Sequence, residues 1–502
     1  LPTAVSVSYV RAMYAAATSV ALVGGEARPV RVEAHVGRQS EAFKLSGLPD
    51  TAVREAKDRV RAAVASAGIR FPNRTVTVNL APADLPKGGT DYDLPIALGI
   101  LAASKEIPPL REAVVVGELA LDGSVRPGSN AFGAGVLSAR QNVPCLVATS
   151  VVGEPASIPG ARAYGVDSLA GAVDLLREGL GSVEPAVPGA PIVGGKAPDL
   201  ADIRGQAMAR RALEVAAAGG HHLLMHGPPG SGKTMLARRI IGILPPLEID
   251  EAVETALLWA AAGRRRGLVV TPPFRAPHHT ASKAALVGGG SGNPVPGEVS
   301  LAHRGVLFLD ELAEFPRSYL DTLRQPLEEG VVSVARRGFS VDFPASFQLL
   351  AATNPCPCGF YGDGRRPCDC RPAILGRYRS RISGPLIDRF DLIVRVGRVE
   401  ATEYSGPKGE TSASVASRVE QARAAQMQRG QINRHLVPGD AQESTAARDL
   451  VAMAVGRGVL TARGGDRVRR VAQTIADMEG ADQVEEHHMA EAIGLRGEWR
   501  DE

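Results

Sequence analysis

Apolar and polar positions change their period several times along the chain, and each change predicts an element. In residues 51–67, Val53, Ala56, Val60 and Val64 share one face at helical spacing and Gly68 follows as a stop, which predicts an amphipathic helix. Residues 75–80, TVTVNL, alternate and predict a half-buried strand. Residues 85–101 read as a glycine turn leading into an apolar helix, and residues 117–129 as a hairpin turning at Asp122-Gly123. Residues 181–198 are rich in Pro and Gly with no period and read as a linker. Beyond it a helix is predicted over 203–218, followed by short strand-like apolar runs, HLLMH at 222–226, GVLFL at 305–309 and SFQLLAAT at 346–353. Residues 331–344 alternate around Arg336-Arg337-Gly338 and predict a hairpin. From about residue 399 the pattern is helical: Val415, Val419, Ala422 and Met427 in 412–429, an apolar stretch at 450–459, and Val468, Val471, Ile475 and Met478 in 460–479. The acidic stretch 479–486 reads as a solvated helix surface.

Composition narrows the class of protein. A chain of 502 residues exceeds one core and fits roughly two to four domains. Its 57 Lys and Arg nearly balance 54 Asp and Glu, so no global field draws it to nucleic acid or membrane and a polyanion site has to be a local patch. Aromatics are 4 %, too few for base stacking to dominate such a site. No apolar run approaches the roughly 18 residues of a membrane span, and the first residues lack a basic segment followed by an apolar core; a cytoplasmic protein without membrane contact is expected. In a reducing compartment, the crowding of Cys356, Cys358, Cys368 and Cys370, with Cys145 apart, points to metal rather than disulfides.

The chemistry centres on residues 222–234, HLLMHGPPGSGKT, where a strand-like run opens into the phosphate-loop pattern GxxxxGKT. Gly227, Pro228, Pro229, Gly230, Ser231 and Gly232 form a cradle in which glycines let consecutive amides turn onto a phosphate at a helix start. Lys233 reaches the β- and γ-phosphates of ATP, and Thr234 offers a hydroxyl to Mg2+. Roughly eighty residues on, GVLFLDE ends in Asp310, which would hold the Mg2+, and Glu311, which would polarise the attacking water. SFQLLAATN ends in Asn354, placed to sense the γ-phosphate. The order GKT, LDE, ATN resembles an AAA+ ATPase rather than a phosphate-loop kinase, for which no substrate pocket is evident. Arg389, just before the apolar end of SGPLIDRFDLIV, is then the candidate for an arginine projecting into a neighbouring subunit's nucleotide, with Arg381 its rival and a surface ion pair the plain alternative. Arg463, at a helix start, is the sensor 2 candidate. With both arginines acting so, hydrolysis requires an assembled ring.

The cysteines stand as CxC, nine residues, CxC, a spacing that closes a tetrahedral zinc site or leaves free or redox-active thiols. His278 and His279 are further ligand candidates, or simply polar residues of their segment. Arg336 and Arg337 at the predicted hairpin tip offer the local positive charge that a near-neutral chain needs to grip phosphates, concentrated where copies meet around a ring; the alternative is a solvated hairpin tip.

Two resemblances extend these readings. LPKGGTDYDLPIALGIL and GELALDGSVRPGS resemble the Lon protease domain, but Asp91 stands at the nucleophile position and Phe132 near the lysine position, so a fold without peptidase activity is implied. FRAPHHTAS, GEVSLAHRGVLFLDELAEFP and NPCPCGFYGD resemble the magnesium-chelatase-like AAA+ family typified by ComM proteins, and with the flanking regions this likeness covers essentially the whole chain. It implies an α/β multidomain fold: an N-terminal Lon-protease-like α+β domain (1–180), the linker (181–198), an AAA+ phosphate-loop core with a helix-2 insert and a pre-sensor-1 hairpin (199–398), and a C-terminal helical lid of magnesium-chelatase type (399–502). It also implies a homo-hexameric ATP-driven DNA motor, a helicase moving branches on single-stranded and branched DNA during natural transformation, with recombination proteins as partners. The alternative implied by the same family is a chelatase-like ATPase remodelling a protein partner.

Overall fold

The computed structural model describes residues 13–37, 41–47, 50–85, 87–110, 113–290, 294–336, 339–437 and 439–497. The chain forms two compact units, the first made of residues 1–192, 249–269 and 291–295, the second of the remainder.

The first unit is built on a seven-stranded mixed sheet in the order Ala42–Ser46, Thr75–Ala81, Glu26–Val36, Tyr14–Val23, Val114–Val115, Pro144–Ala148, Arg162–Val166. Tyr14–Val23 and Glu26–Val36 pair antiparallel along their whole length, whereas Pro144–Ala148 and Arg162–Val166 are parallel. The helix Thr51–Ser66 forms as its spacing predicts, capped by Asp50, whose carboxylate accepts from the Val53 amide at 2.8 Å. Every residue of Asp93–Ala103 is buried, which explains an apolar run with no polar face. The hairpin at 117–129 consists of Glu118–Leu119 and Val125–Arg126.

The second unit holds a five-stranded sheet ordered Phe274–Arg275, Val306–Leu309, Gln348–Thr353, Leu223–His226, Leu392–Arg395, and every pairing is parallel. Val306–Leu309 and Gln348–Thr353 are buried at each position, so both read as unbroken apolar runs. Because the strands run the same way, their C-terminal ends share one edge, where an α/β sheet places its ligand. His226 stands level with Thr353 on one side and Arg395 on the other.

The helices Ser412–Gln428, Thr445–Gly456 and Ala462–Glu479 begin at Thr411, Ser444 and Thr461, whose hydroxyls each accept an amide of the first turn. Val419, Val451, Val468, Val471 and Ile475 pack in the same hydrophobic cluster as Leu213, Leu223, Phe308 and Leu392 of the sheet layer. The acidic stretch departs from expectation. The helix stops at Glu479 with left-handed Gly480 as its cap, and a new helix, Glu486–Gly494, starts after Glu485, so 479–486 is chiefly a connection. His488 Nδ1 accepts from the Glu485 amide, leaving Nε2 to donate to Glu479 at 3.1 Å. Among the described residues no helix is long and apolar enough to cross a membrane.

Candidate functional site

Leu223–His226 delivers the chain to the shared sheet edge, and the loop 227–232 returns it into the helix Lys233–Arg239. Gly230 and Gly232 adopt φ of +77° and +92°, which turns the loop in a way L side chains resist. Gly227 is needed for space: a Cβ there would sit 2.0 Å from the Val396 carbonyl oxygen. The Lys233 ammonium is buried within this loop. It donates to the carbonyls of Gly227 and Pro228 at 2.8 Å each and to Asn354 Oδ1 at 3.3 Å. Burial lowers its pKa to about 8, against the opposing pull of Asp310 and Glu311.

Thr234 Oγ1 donates to Asp310 Oδ2 at 2.7 Å, so the hydroxyl and carboxylate from two motifs 76 residues apart meet at one point. Glu311 takes a left-handed backbone, φ +52°, with its amide bonding back to Asp310 Oδ1 at 3.0 Å and its carboxylate half-exposed. Lys233, Thr234, Asp310 and Asn354 are thus brought together.

His279 was not legible as a neighbour of this acid pair. Its Nδ1 lies 3.2 Å from Glu311 Oε2, and its ring stacks beside His278 and edge-on to Phe315. The signal that would have found it is Phe274–Arg275: read as a sheet strand next to Val306–Leu309, rather than as the start of an insertion, it puts the following histidines at the same edge.

The arginines occupy a second region. Arg389 is half-buried, bonded to the Pro385 carbonyl at 2.5 Å and paired with Glu328. Burial depresses its guanidinium, as do the nearby charges of Arg324, Arg467 and Arg463, so Arg389 and Arg463 belong to one patch. Arg463 is exposed in the first turn of Ala462–Glu479. Arg381 is 47 % exposed and holds Glu314 at 2.9 Å and the Ala313 carbonyl at 3.2 Å.

The four cysteines converge, with all ligand atoms within 4.8 Å of one another and Cys356 buried. Sulfur separations are 3.3 Å for Cys356–Cys358, 3.7 Å for Cys356–Cys368 and 3.5 Å for Cys358–Cys368. Tetrahedral Zn–S bonds of about 2.3 Å imply sulfurs about 3.8 Å apart, so this set fits the ion. Amides of Tyr361 and Cys370 donate to Cys356 and Cys368, as suits thiolates. His278 and His279 are not part of this group. The hairpin forms from Val331–Arg336 and Phe339–Pro344, with Val331 opposite Pro344; Arg337 and the side chain of Arg336 lie outside the described residues.

In the first unit Asp91 is buried and accepts the Ser129 hydroxyl at 2.6 Å. Burial raises its pKa, partly offset by bonds from Ser129 and Asn130.

A parallel sheet with a lysine-bearing phosphate loop, an acid pair and a polar-tipped strand at one edge, joined to a helical region, defines the phosphate-loop ATPases of AAA+ type. The chain belongs to the magnesium-chelatase-like family of the ComM and YifB type. Residues 199–404 match the family described as magnesium chelatase, subunit ChlI; residues 32–150 match subunit ChlI of Mg-chelatase; and residues 409–496 match the ChlI C-terminal region. It is 42 % identical to the competence protein ComM of Haemophilus influenzae over 95 % of this chain and 96 % of that protein. It is 41 % identical to YifB of Escherichia coli over 95 % and 96 % of the two chains. Lon protease 2 of Bacillus subtilis matches at 30 % identity over 200 residues, 35 % of this chain and 34 % of that protein.

Proposed function

We propose that this protein is an ATPase that works as a hexameric DNA motor, a helicase moving branches while incoming DNA is integrated during natural transformation and recombination. The observation that carries the ATPase part is the meeting of Lys233, Thr234, Asp310 and Asn354 at one sheet edge. Thr234 and Asp310 would hold Mg2+, which supplies charge neutralisation between the phosphates. Lys233 would take the β- and γ-phosphates, exchanging its loop carbonyls for them. Glu311 would orient and deprotonate the attacking water, and Asn354 would register the γ-phosphate through the lysine it touches. Arg389 would complete the site from the next protomer and Arg463 would act as sensor 2, giving hydrolysis only in a ring.

The DNA part is supported by the similarity to a protein named for competence and by the two-stranded hairpin of Val331–Arg336 and Phe339–Pro344, in whose sequence Arg336 and Arg337 stand together. Structural Zn2+ in the four-cysteine group is part of the same reading, its separations supporting it. The first unit is read as lacking peptidase activity, because Asp91 is sequestered by Ser129 rather than paired with an amine. The second reading, a chelatase-like ATPase remodelling a protein, draws on the chelatase match itself.

One measurement separates the two. ATP hydrolysis is followed with and without single-stranded and branched DNA at low and moderate salt, with Glu311→Gln as control. Stimulation that weakens with salt supports the motor. An unchanged rate sinks it and leaves the remodelling reading.

A further inference from the structure

The four-cysteine segment lies across the phosphate loop. It leaves the sheet two residues after Asn354, whose side chain touches Lys233. It is fastened again to the strand on the far side of Leu223–His226: Arg395 donates to the Gly362 carbonyl, and Arg398 pairs with Asp363 at 2.9 Å. The sheet order places Leu223–His226, and so the phosphate loop that follows it, between these two anchors. At mid-span the segment presses on the loop. Gly359, at φ +85°, faces Pro229 so closely that a Cβ would stand 2.5 Å from Cδ and 2.6 Å from Cγ of the proline ring. Gly227 on the other side of the loop is confined by Val396.

Among the described residues, the strap's other ties are polar and lie at its rim: Arg365 pairs with Glu400, and Arg398 also lies over the Phe360 ring. Of its residues between Cys356 and Cys370, most are half or fully exposed, and the stacking of Arg366 on Phe360 and of Arg379 on Tyr361 is at the surface. A short loop with so small an apolar core takes its shape from what joins its sulfurs.

We propose that a soft divalent metal of the zinc class, held by Cys356, Cys358, Cys368 and Cys370, makes this segment a strap that sets the phosphate loop, so that metal occupancy governs nucleotide affinity. This rests on the zinc and nucleotide readings above. With metal bound, Gly359 is fixed against Pro229 and the loop is held open for phosphate. Without it, Pro229 loses its backing and the loop spends binding free energy on ordering itself.

The test uses the full chain purified without chelator. Metal is quantified, and the affinity for a fluorescent ATP analogue is measured before stripping with a thiol-competing chelator, after it, and after zinc is restored. The same measurements are made on Cys368→Ser/Cys370→Ser and on Gly359→Ala, which keeps all four thiols but crowds Pro229. About one equivalent of metal, a loss of affinity of about tenfold on stripping, its recovery with zinc, and weakened binding by metal-loaded Gly359→Ala are expected. Metal that can be removed and restored with unchanged affinity overturns the strap and leaves the zinc site standing. A chain that neither holds nor takes up metal overturns both. Should the double variant fail to fold, the stripping series on the wild type decides alone.

Discussion

At the scale of single residues, the buried lysine is the most exposed to test. Its ammonium sits on carbonyl oxygens, and burial brings its pKa to about 8. Only the protonated form can meet a phosphate, and bound phosphate draws the pKa up again. Affinity for ATP should therefore be flat below about pH 8 and fall up to tenfold per pH unit above it, as read by titration with a fluorescent analogue. A flat profile to pH 9.5 would show that Lys233 keeps its charge by other means. Glu311 is the second case. Glu311→Gln keeps the left-handed turn and the reach toward His279 but removes the base, so binding should persist while turnover drops on the order of 10²- to 10⁴-fold. Retained turnover would move the role of base elsewhere.

At the scale of elements, the base of the sheet is tied to the helical region through histidines kept neutral. His221 is fully buried, its Nε2 2.7 Å from Thr474 Oγ1 on Ala462–Glu479, while Thr474 donates onward to the Arg470 carbonyl. Burial lowers the His221 pKa to about 4. Unfolded, the same side chain titrates near 6.5, so the unfolded state takes up protons first as pH falls. The stability this contributes is whole above about pH 6.5 and is lost as pH falls to about 4, up to roughly 3 kcal/mol. Melting of the wild type should fall over that window, and His221→Gln should fall less steeply; identical slopes would remove His221 from the account.

These elements also show what could be read from the chain. The strands at 306–309 and 348–353 were legible as apolar runs, and the helices at 412–428 and 462–479 because each keeps one period and carries its own N-cap. The phosphate loop, the acid pair and Asn354 were legible because their spacing is dictated by phosphate and magnesium chemistry. The strand Tyr14–Val23 was not, since its alanines, Thr18 and Ser19 give little contrast between faces, and its partner Glu26–Val36 was not read although Val30, Val32, Ala34 and Val36 alternate with polar residues. Nor was the link from Gly359 to Pro229, because contact between two loops 130 residues apart leaves no local pattern.

At the scale of the whole molecule, the arginines decide whether one chain can work alone. Arg389 bonds to the Pro385 carbonyl and pairs with Glu328, whereas Lys233 bonds to Gly227, Pro228 and Asn354. An arginine of this kind would stabilise the leaving phosphate when a second copy presents it to that copy's neighbour, as proposed above. Mixing then discriminates. Lys233→Ala should bind no nucleotide, and Arg389→Ala should bind it without hydrolysis, so each alone is inactive. In rings mixed at equal amounts, about one site in four pairs an intact Lys233 with an intact Arg389 from its neighbour, and turnover should recover to about a quarter of wild type. Assistance within one chain forbids any recovery, because no protomer then carries both residues. Normal hydrolysis by Arg389→Ala alone would reject this arginine and transfer the same mixing experiment to Arg381, which is already turned toward the segment after the acid pair through Glu314.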